Sequence, residues 1–155
     1  AVRERCDGWR RNPWNEVECG HHYARAMSSW GLLLALSGFN YSAPEGRLGF
    51  APFFNQEDFR TFWSPGSAWG TYEQHPEGDK VFSVRLNLEH GDCHPRELNL
   101  ELPRGFSSEV RSISCTPGGK NLRVQVMRSR KKVTLKFRQP VPLKAGESLT
   151  LRIFS

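Results

Sequence analysis

Apolar and polar residues alternate along most of the chain from residue 81 onward. Turn-forming sequences such as HGD, LPRG, TPGGKN, RSRKK and KAGES separate the alternating runs. Alternation with this period buries one face of each strand, so it predicts a mostly antiparallel β-sheet or β-sandwich from about residue 80. The apolar positions of the regular runs are Phe82, Val84, Leu86 and Leu88; Leu98, Leu100 and Leu102; Leu122, Val124 and Val126; Val133, Leu135 and Phe137; and Leu149, Leu151 and Ile153.

Residues 18–37 predict one long helix ahead of the strands, which makes the fold class α+β. Apolar residues follow helical spacing over its first half, and the later WGLLLAL is apolar nearly all round. Pro13 fits an entry turn, and Ser37–Gly38 fits a C-terminal stop. Because a helix without a polar face needs cover on most sides, we expect it to be buried. Its apolar positions are Tyr23, Met27, Trp30, Leu33, Leu34 and Leu36.

The segment between the helix and the alternating runs is rich in glycine and aromatic residues. Within FNYSAPEGRLGFAPFF, the PEG sequence at Pro44–Gly46 predicts a turn between short extended pieces. The next segment, NQEDFRTFW at residues 55–63, fits either a short helical turn or a strand.

The composition is that of a globular protein. The chain has 155 residues, of which 37% are hydrophobic and 25% charged, and this length suits one domain or two small units sharing a core. The longest apolar run, WGLLLAL, is far shorter than the roughly 20 residues that span a bilayer, so we expect no transmembrane segment. The first twelve residues, AVRERCDGWRRN, lack the basic and then apolar regions of a secretory signal. We therefore expect a piece of a longer chain or a mature form.

The formal net charge of +6 permits an anionic partner without requiring one. Part of the excess lies in RSRKK, Arg128–Lys132, between two predicted strands, where a solvated hairpin turn is the better interpretation. Aromatic residues that would stack on nucleic acid bases do not accompany it. We therefore expect no nucleic acid partner.

The four cysteines show neither paired motifs nor a regular spacing. Thiols scattered in this way are usually free and buried, which indicates a reducing compartment and a cytoplasmic location. Cys93 lies in HGDCHP beside three further residues that could bind a metal, but no second ligand pair stands at a known zinc spacing. We favour a polar loop here and expect neither metal nor cofactor. The cysteines are Cys6, Cys19, Cys93 and Cys115, and the other members of the cluster are His90, Asp92 and His94.

A cluster of acids, histidines and an arginine stands at the front of the predicted helix. Glu18, His22 and Arg25 share one helical face, because residues four and seven apart lie above one another. One interpretation is a solvated ion-pair row at a helix N-terminus, where carboxylates are favoured. The other is a sugar pocket in which aromatic rings cover the apolar faces of the ligand. The residue types alone leave both open. The polar cluster also contains Glu16 and His21. The aromatic residues that would flank a sugar are Trp9, Trp14, Tyr23 and Trp30.

The sequence of residues 11–52 resembles the last part of the catalytic region of glycoside hydrolase family 116. It reads RNPWNEVECGHHYARAMSSWGLLLALSGFNYSAPEGRLGFAP. The shared pattern is N-P-aromatic-N-E-V-E-x-G-x-H-Y-x-R-x-M, followed by a G-F-x-Y stretch and by F-A-P. The resemblance weakens through FRTFWSPGSAWGTYEQ and is thin beyond Gln74. This family contains β-glucosidases, β-xylosidases and the non-lysosomal glucosylceramidase.

The resemblance implies an (α/α)-barrel catalytic domain in a retaining enzyme with a glutamate nucleophile and an aspartate acid/base. Both catalytic carboxylates lie in family segments upstream of the shared pattern, and nothing in this sequence matches them. Residues 1–74 would then be the end of the barrel region, with the helix as a remnant of the barrel. Residues 75–155 would form a β-rich unit packed on it.

The resemblance also assigns roles to residues of the opening cluster. Glu16 and Arg25 match the family's two sugar-hydroxyl-binding positions. His21 stands where many relatives have aspartate, so its role stays open. Residues that follow the pattern as supporting scaffold are Trp14, Glu18, His22 and Tyr23.

We therefore expect the C-terminal fragment of a retaining, glucosylceramidase-like β-glycosidase that binds sugar but lacks the catalytic carboxylates. Its partners would be a β-glucoside or related glycoside and the rest of the catalytic domain. Two alternatives remain. One is a non-catalytic carbohydrate-binding β-module, which exposed aromatic residues on one sheet face would favour. The other is a structural unit with a basic face for an anionic partner.

Overall fold

A computed structural model of the chain describes residues 26–78, 80–103, 106, 112–117 and 122–154. The elements in this part of the chain are the helix α1 (Ala26–Ser37) and the strands β1 (Asn40–Ser42), β2 (Arg47–Phe50), β3 (Phe59–Trp63), β4 (Ala68–Pro76), β5 (Val81–Cys93), β6 (Glu97–Glu101), β7 (Ser112–Pro117), β8 (Val124–Ser129), β9 (Lys132–Phe137), β10 (Leu143–Lys144) and β11 (Ser148–Phe154).

The strands form two sheets that face each other across one hydrophobic core. The first sheet has the order β1-β2-β6-β9-β8, and the second has the order β3-β4-β5-β11-β7, with β10 pairing to the end of β5. Among the described pairings, only β2 with β6 is parallel. The expectation of a mostly antiparallel β assembly is confirmed. The RSRKK hairpin is also confirmed, since Ser129 of β8 pairs with Lys132 of β9 across a turn.

The β assembly begins at Asn40, well before the predicted start near residue 80. The ambiguous segment FRTFW is the strand β3, and β4 pairs along its length with β5. Buried and exposed residues alternate in both strands. The buried positions include Thr61, Gly70 and Gln74 instead of large aliphatic residues, so the hydrophobic pattern did not reveal the strands. Strands on both sides of the expected division at residue 74 therefore share one sheet. The assignment of residues 1–74 to a barrel stays a prediction.

The expectation of a long buried helix over residues 18–37 is not supported. The described helix has 12 residues, and residues 18–25 lie outside the described part of the chain. Four of its large apolar side chains are between 39% and 64% exposed, so the helix is not buried on most sides. These side chains are Trp30, Leu32, Leu34 and Leu36.

The end of α1 matches its predicted stop. Gly38 adopts a φ of 60°, the left-handed conformation that ends many helices. The Ala51 backbone N–H donates to the Ser37 carbonyl at 3.0 Å, and the Phe53 N–H donates to the Leu36 carbonyl at 2.9 Å. These bonds satisfy two of the carbonyls that a helix end leaves without partners. In the part of the chain that the structure describes, no helix has the length and hydrophobicity to cross a bilayer.

The HGD sequence, predicted as a turn, instead lies within β5. Ala68 pairs with Gly91 and Trp69 with His90, but Gly70 pairs with Leu88, so Glu89 is an extra residue in β5. Gly91 has a φ of 79°, which glycine adopts without strain. The interruption is therefore a β-bulge rather than the end of the strand.

Aromatic rings join the two sheets at the centre of the core. Phe50 of β2 stacks on Tyr72 of β4 with ring centroids 3.9 Å apart and an interplanar angle of 6°. The Tyr72 hydroxyl donates to Gln74 Oε1 at 2.5 Å, and Gln74 Nε2 donates to the Gln56 carbonyl at 2.5 Å. Burial raises the pKa of the Tyr72 hydroxyl far above its usual range, so the group stays protonated and remains a donor.

Gly70 provides a test of the β4–β5 pairing. A Cβ at this position would press against the Asn87 backbone carbonyl and would lie 3.1 Å from Leu88 Cα. Because backbone atoms of a paired strand cannot rotate aside, we expect Gly70→Ala to lower the free energy of unfolding by about 2 kcal/mol or more. Urea denaturation followed by circular dichroism measures this loss.

The matched control is Gly31→Ala in α1, where an added Cβ has no heavy atom within 4 Å. Alanine is favoured over glycine in a helix by about 1 kcal/mol, so this variant should be neutral or slightly more stable. Equal free energies of unfolding for the two variants would contradict the close approach of β4 to β5.

Candidate functional site

The residues predicted to bind sugar lie outside the described part of the chain. Their roles and positions stay predictions. The hydroxyl-binding pair is Glu16 and Arg25. The same undescribed segment contains the residues predicted as scaffold, Trp14, Glu18, His22 and Tyr23, and also His21, whose role stays open.

Three rings form a row on the outer face of the second sheet, which we call the aromatic strip. Phe62 of β3, Trp69 of β4 and His90 of β5 contribute one ring each. The Phe62 and Trp69 centroids are 6.2 Å apart, and those of Trp69 and His90 are 5.9 Å apart with an interplanar angle of 17°. Phe62 is 40% exposed and Trp69 is 44% exposed. The two rings are therefore partly accessible on the outer face of the sheet.

The bulge in β5 places His90 in this row. Leu86 and Leu88 face the core, so strict alternation would point His90 inward as well. The extra residue Glu89 shifts the alternation, and His90 is exposed opposite Trp69. Bulges commonly redirect a side chain in this way.

Polar groups border the aromatic strip along the strands. Thr71 pairs with Phe62 on one side and with Asn87 on the other, and the Asn87 Nδ2 donates to the Thr71 Oγ1 at 3.0 Å. The following row contains Arg60 and Glu73, which form an ion pair at 3.1 Å. A molecule lying on the rings would thus meet a hydroxyl and an amide at one edge.

The first sheet carries a separate polar pocket of about 330 Å³. Several of its polar groups are already partnered within the protein. Arg47 pairs with Glu45 at 2.7 Å, and Asn99 accepts from Thr134 at 2.6 Å and donates to Glu97 at 2.9 Å. The pocket has room for a small polar ligand, but these internal partners leave few free groups to bind one. It is lined by Asn40, Arg47, Phe50, Ala51, Asn99, Leu100, Glu101 and Lys132.

The HGDCHP cluster is divided by the fold. His90 belongs to the aromatic strip, whereas Cys93 is buried. His94 Nδ1 lies 3.5 Å from Asp92 Oδ2 on the surface. Burial raises the pKa of the Cys93 thiol to about 11, with smaller contributions from the His94 backbone hydrogen bond, which lowers it, and the Asp92 charge, which raises it. The thiol is thus neutral near pH 7, a poor nucleophile and a poor metal ligand.

Among the described residues, no group of three or more histidine, cysteine, aspartate or glutamate side chains is arranged to hold a metal ion.

Comparison with known proteins finds distant similarity among solved structures. No protein-family model matches the chain. No curated protein matches it either. Among solved structures, the chain is similar to a β-arabinofuranosidase of family GH127, with 10% sequence identity and a TM-score of 0.42 over 70% of this chain and 18% of that chain. A likeness this loose carries no argument about activity. These comparisons do not show membership of family 116, which stays a prediction from the motif.

The buried thiol predicts slow, pH-dependent labelling. In the folded chain, we expect iodoacetamide to modify Cys93 slowly at pH 7, with a rate that rises about tenfold per pH unit because only the thiolate reacts. The pKa is raised from 9.0 to about 11 on folding, so the stability that the neutral thiol contributes is lost as the pH rises through this window. Peptide mass mapping identifies the labelled residue.

Chain unfolded in urea is the control, and there Cys93 should react quickly at pH 9. Rapid labelling of Cys93 in the folded chain at pH 7 would contradict its burial.

Proposed function

We propose that the chain is the C-terminal part of a retaining β-glycosidase of the family 116 type. One observation carries this proposal, the match of residues 12–27 to the long motif N-P-aromatic-N-E-V-E-x-G-x-H-Y-x-R-x-M. Glu16 and Arg25 occupy the motif positions that bind sugar hydroxyls. In this proposal the chain supplies part of the floor of a glycoside pocket in the parent enzyme.

The chemistry of this pair suits a polyol. A carboxylate accepts hydrogen bonds from sugar hydroxyls, and a guanidinium donates to their oxygens in a fixed planar geometry. A hydrogen bond to a charged group contributes about 1.5–3 kcal/mol, and loss of one partner leaves the other unsatisfied in a desolvated site. Glu16 and Arg25 would therefore govern affinity and ring orientation.

The end of the stretch that resembles the family lies in the core of the sandwich. Leu48, Phe50 and Pro52 belong to RLGFAP, and all three are buried. Phe50 makes the stack that joins the two sheets.

Hydrolysis itself is assigned to the rest of the parent enzyme. Retaining glycosidases need two carboxyl groups about 5–5.5 Å apart on either side of the scissile bond. The family's nucleophile and acid/base lie upstream of the motif, so this chain contributes binding and not bond cleavage.

Substitution of the proposed pair in the parent enzyme tests its role. Glu16→Ala or Arg25→Ala should lower kcat/KM for glucosides by about ten- to several-hundredfold, the equivalent of one lost charged hydrogen bond. Arg25→Lys should recover only part, because an ammonium lacks the planar fork. Kinetics and melting temperature are measured on the same preparations.

The matched controls are Glu77→Ala and Arg152→Ala, which remove members of a surface ion pair of 3.0 Å. They should leave kcat/KM unchanged. A destabilised Glu16→Ala enzyme with wild-type kinetics per folded molecule would reject the sugar-binding role in favour of a solvated ion-pair row.

Residues 1–155 alone should not hydrolyse aryl β-glucosides above the background rate, because the family's catalytic carboxylates are missing. Release of the chromogenic aglycone is the measurement. Turnover that disappears in Glu16→Gln would overturn this expectation and make Glu16 a catalytic residue.

A further inference from the structure

We propose that the strand β8 binds an extended acidic peptide, which adds to the first sheet as a further strand. The inference rests on two features at the end of this sheet. One is a backbone edge that no described strand covers, and the other is a group of arginines that no described carboxylate pairs. The inference does not depend on the proposed function.

The backbone of β8 presents one open edge. Among the described strands, β8 is the last of the first sheet and pairs with β9 alone. Ser129 and Lys132 close a two-residue hairpin loop, where the closing residues exchange both backbone hydrogen bonds. Bonded and open positions alternate from that pair, so the N–H and C=O groups of Val124, Val126 and Arg128 point away from β9. An added strand requires such a row of donors and acceptors.

Three arginines lie along this edge. Arg123 precedes β8, Arg128 lies near its end, and Arg130 lies in the turn that follows. None of the three forms an ion pair with a carboxylate of the described chain. The Nε of Arg128 donates to the Arg130 carbonyl at 3.3 Å, which occupies only one of the guanidinium donors. The edge therefore carries positive charge that no described side chain neutralises.

The carboxylates of the neighbouring strand β6 face β9 and not β8. Glu97 pairs with Lys136 of β9 at 3.6 Å, and Glu101 stands opposite Lys132 of β9 in the strand register. Both lysines are therefore left out of the positive group. Arg128 stands opposite an uncharged valine of β9.

The charge of the edge argues against a second copy of the chain as the occupant. Antiparallel pairing of two β8 strands would bring the arginines of one copy beside those of the other, and like charges on paired strands are destabilising. Positively charged side chains on edge strands are a known protection against such pairing. An acidic strand has the opposite sign and gains from each carboxylate that meets an arginine.

The side chains between the arginines define the middle of the peptide. Val126 and Met127 lie on opposite faces of β8, and each is 40% exposed. Apolar side chains on both faces of an added strand would cover them. A single-stranded nucleic acid would instead need aromatic rings on which its bases stack, and the VQVMRS sequence of β8 has none. The occupant is therefore an extended peptide with an apolar centre and acidic residues on either side.

The experiment uses the full chain of 155 residues and the capped peptide Asp-Ser-Glu-Val-Val-Thr-Val-Glu. In antiparallel pairing its acids lie beside Arg130, Arg128 and Arg123, and its valines lie beside the apolar residues of β8. Isothermal titration calorimetry measures the affinity. Wild-type chain should bind the peptide, and the affinity should fall at least fivefold between about 50 mM and about 500 mM NaCl, because salt screens exposed charges.

Amide hydrogen exchange distinguishes an added strand from loose attraction between charges. In the free chain, the amides of Val126 and Arg128 should exchange faster than those of Gln125 and Met127, which donate to β9. The peptide should protect Val126 and Arg128, because their N–H groups then donate to the added strand. Binding without this protection would overturn the proposal. Protection that rises with the concentration of the chain, without peptide, would also overturn it by making the edge an interface between copies.

Charge reversal tests the arginines. Arg128→Glu should weaken peptide binding at least tenfold, and a peptide with lysine in place of its central glutamate should recover most of the affinity. Arg60→Glu is the matched control, because Arg60 is exposed on β3, which is an edge strand of the second sheet, and the net charge changes by the same amount. This variant should bind the peptide as the wild type does. Circular dichroism verifies that both variants are folded.

Three results of the binding experiments would overturn the proposal. The first is a folded wild-type chain that does not bind the peptide. The second is an equal loss of affinity in Arg128→Glu and Arg60→Glu, which would show attraction to the net charge of the chain. The third is binding of a single-stranded oligonucleotide but not of the peptide, which would make the arginines a phosphate-binding surface.

Discussion

The stack of Phe50 on Tyr72 is the contact on which the rest of the structure depends. It joins a strand of the first sheet to a strand of the second at a centroid distance of 3.9 Å. The Tyr72 hydroxyl is fully buried and must keep a partner, which Gln74 supplies and the Gln56 carbonyl completes. Because side chains alternate along a strand, an inward Tyr72 places its neighbours in β4 on the outer face. The core thereby determines which residues of β4 meet solvent.

The outer face follows from that constraint together with one irregularity. Regular alternation in β4 points Trp69 and Thr71 outward, and the bulge in β5 brings His90 beside Trp69. Gly70 permits the close approach of β4 to the Asn87 carbonyl, and Gly91 adopts the positive φ that the bulge requires. Packing within the core and the chemistry available on the surface are therefore consequences of the same strand pairing.

Much of the β fold could be predicted from the sequence, because aliphatic residues alternate strictly in the strands after residue 80. Earlier strands escaped prediction where Thr61, Gly70 and Gln74 hold buried positions, since small and polar residues give no hydrophobic period. The bulge was not predicted, because the glycine in HGD is equally compatible with a turn and with a positive φ inside a strand. The aromatic strip could not be predicted without the strand register, because Trp69 and His90 are distant in sequence. The Glu16–Arg25 site was predicted from a sequence motif. The hydrophobic periodicity of the chain carries no information about such a site.

A double-mutant cycle on Phe50 and Tyr72 tests the central contact most directly. The free energy of unfolding is measured by urea denaturation for the wild type, Phe50→Leu, Tyr72→Leu and the double variant. Loss of the Gln74 partner occurs in both Tyr72 variants and cancels in the cycle. If the ring stack joins the sheets, the double variant should lose less stability than the sum of the single losses, by about 0.5–1.5 kcal/mol. Additive losses would contradict the account, because the two rings would then contribute to the core independently.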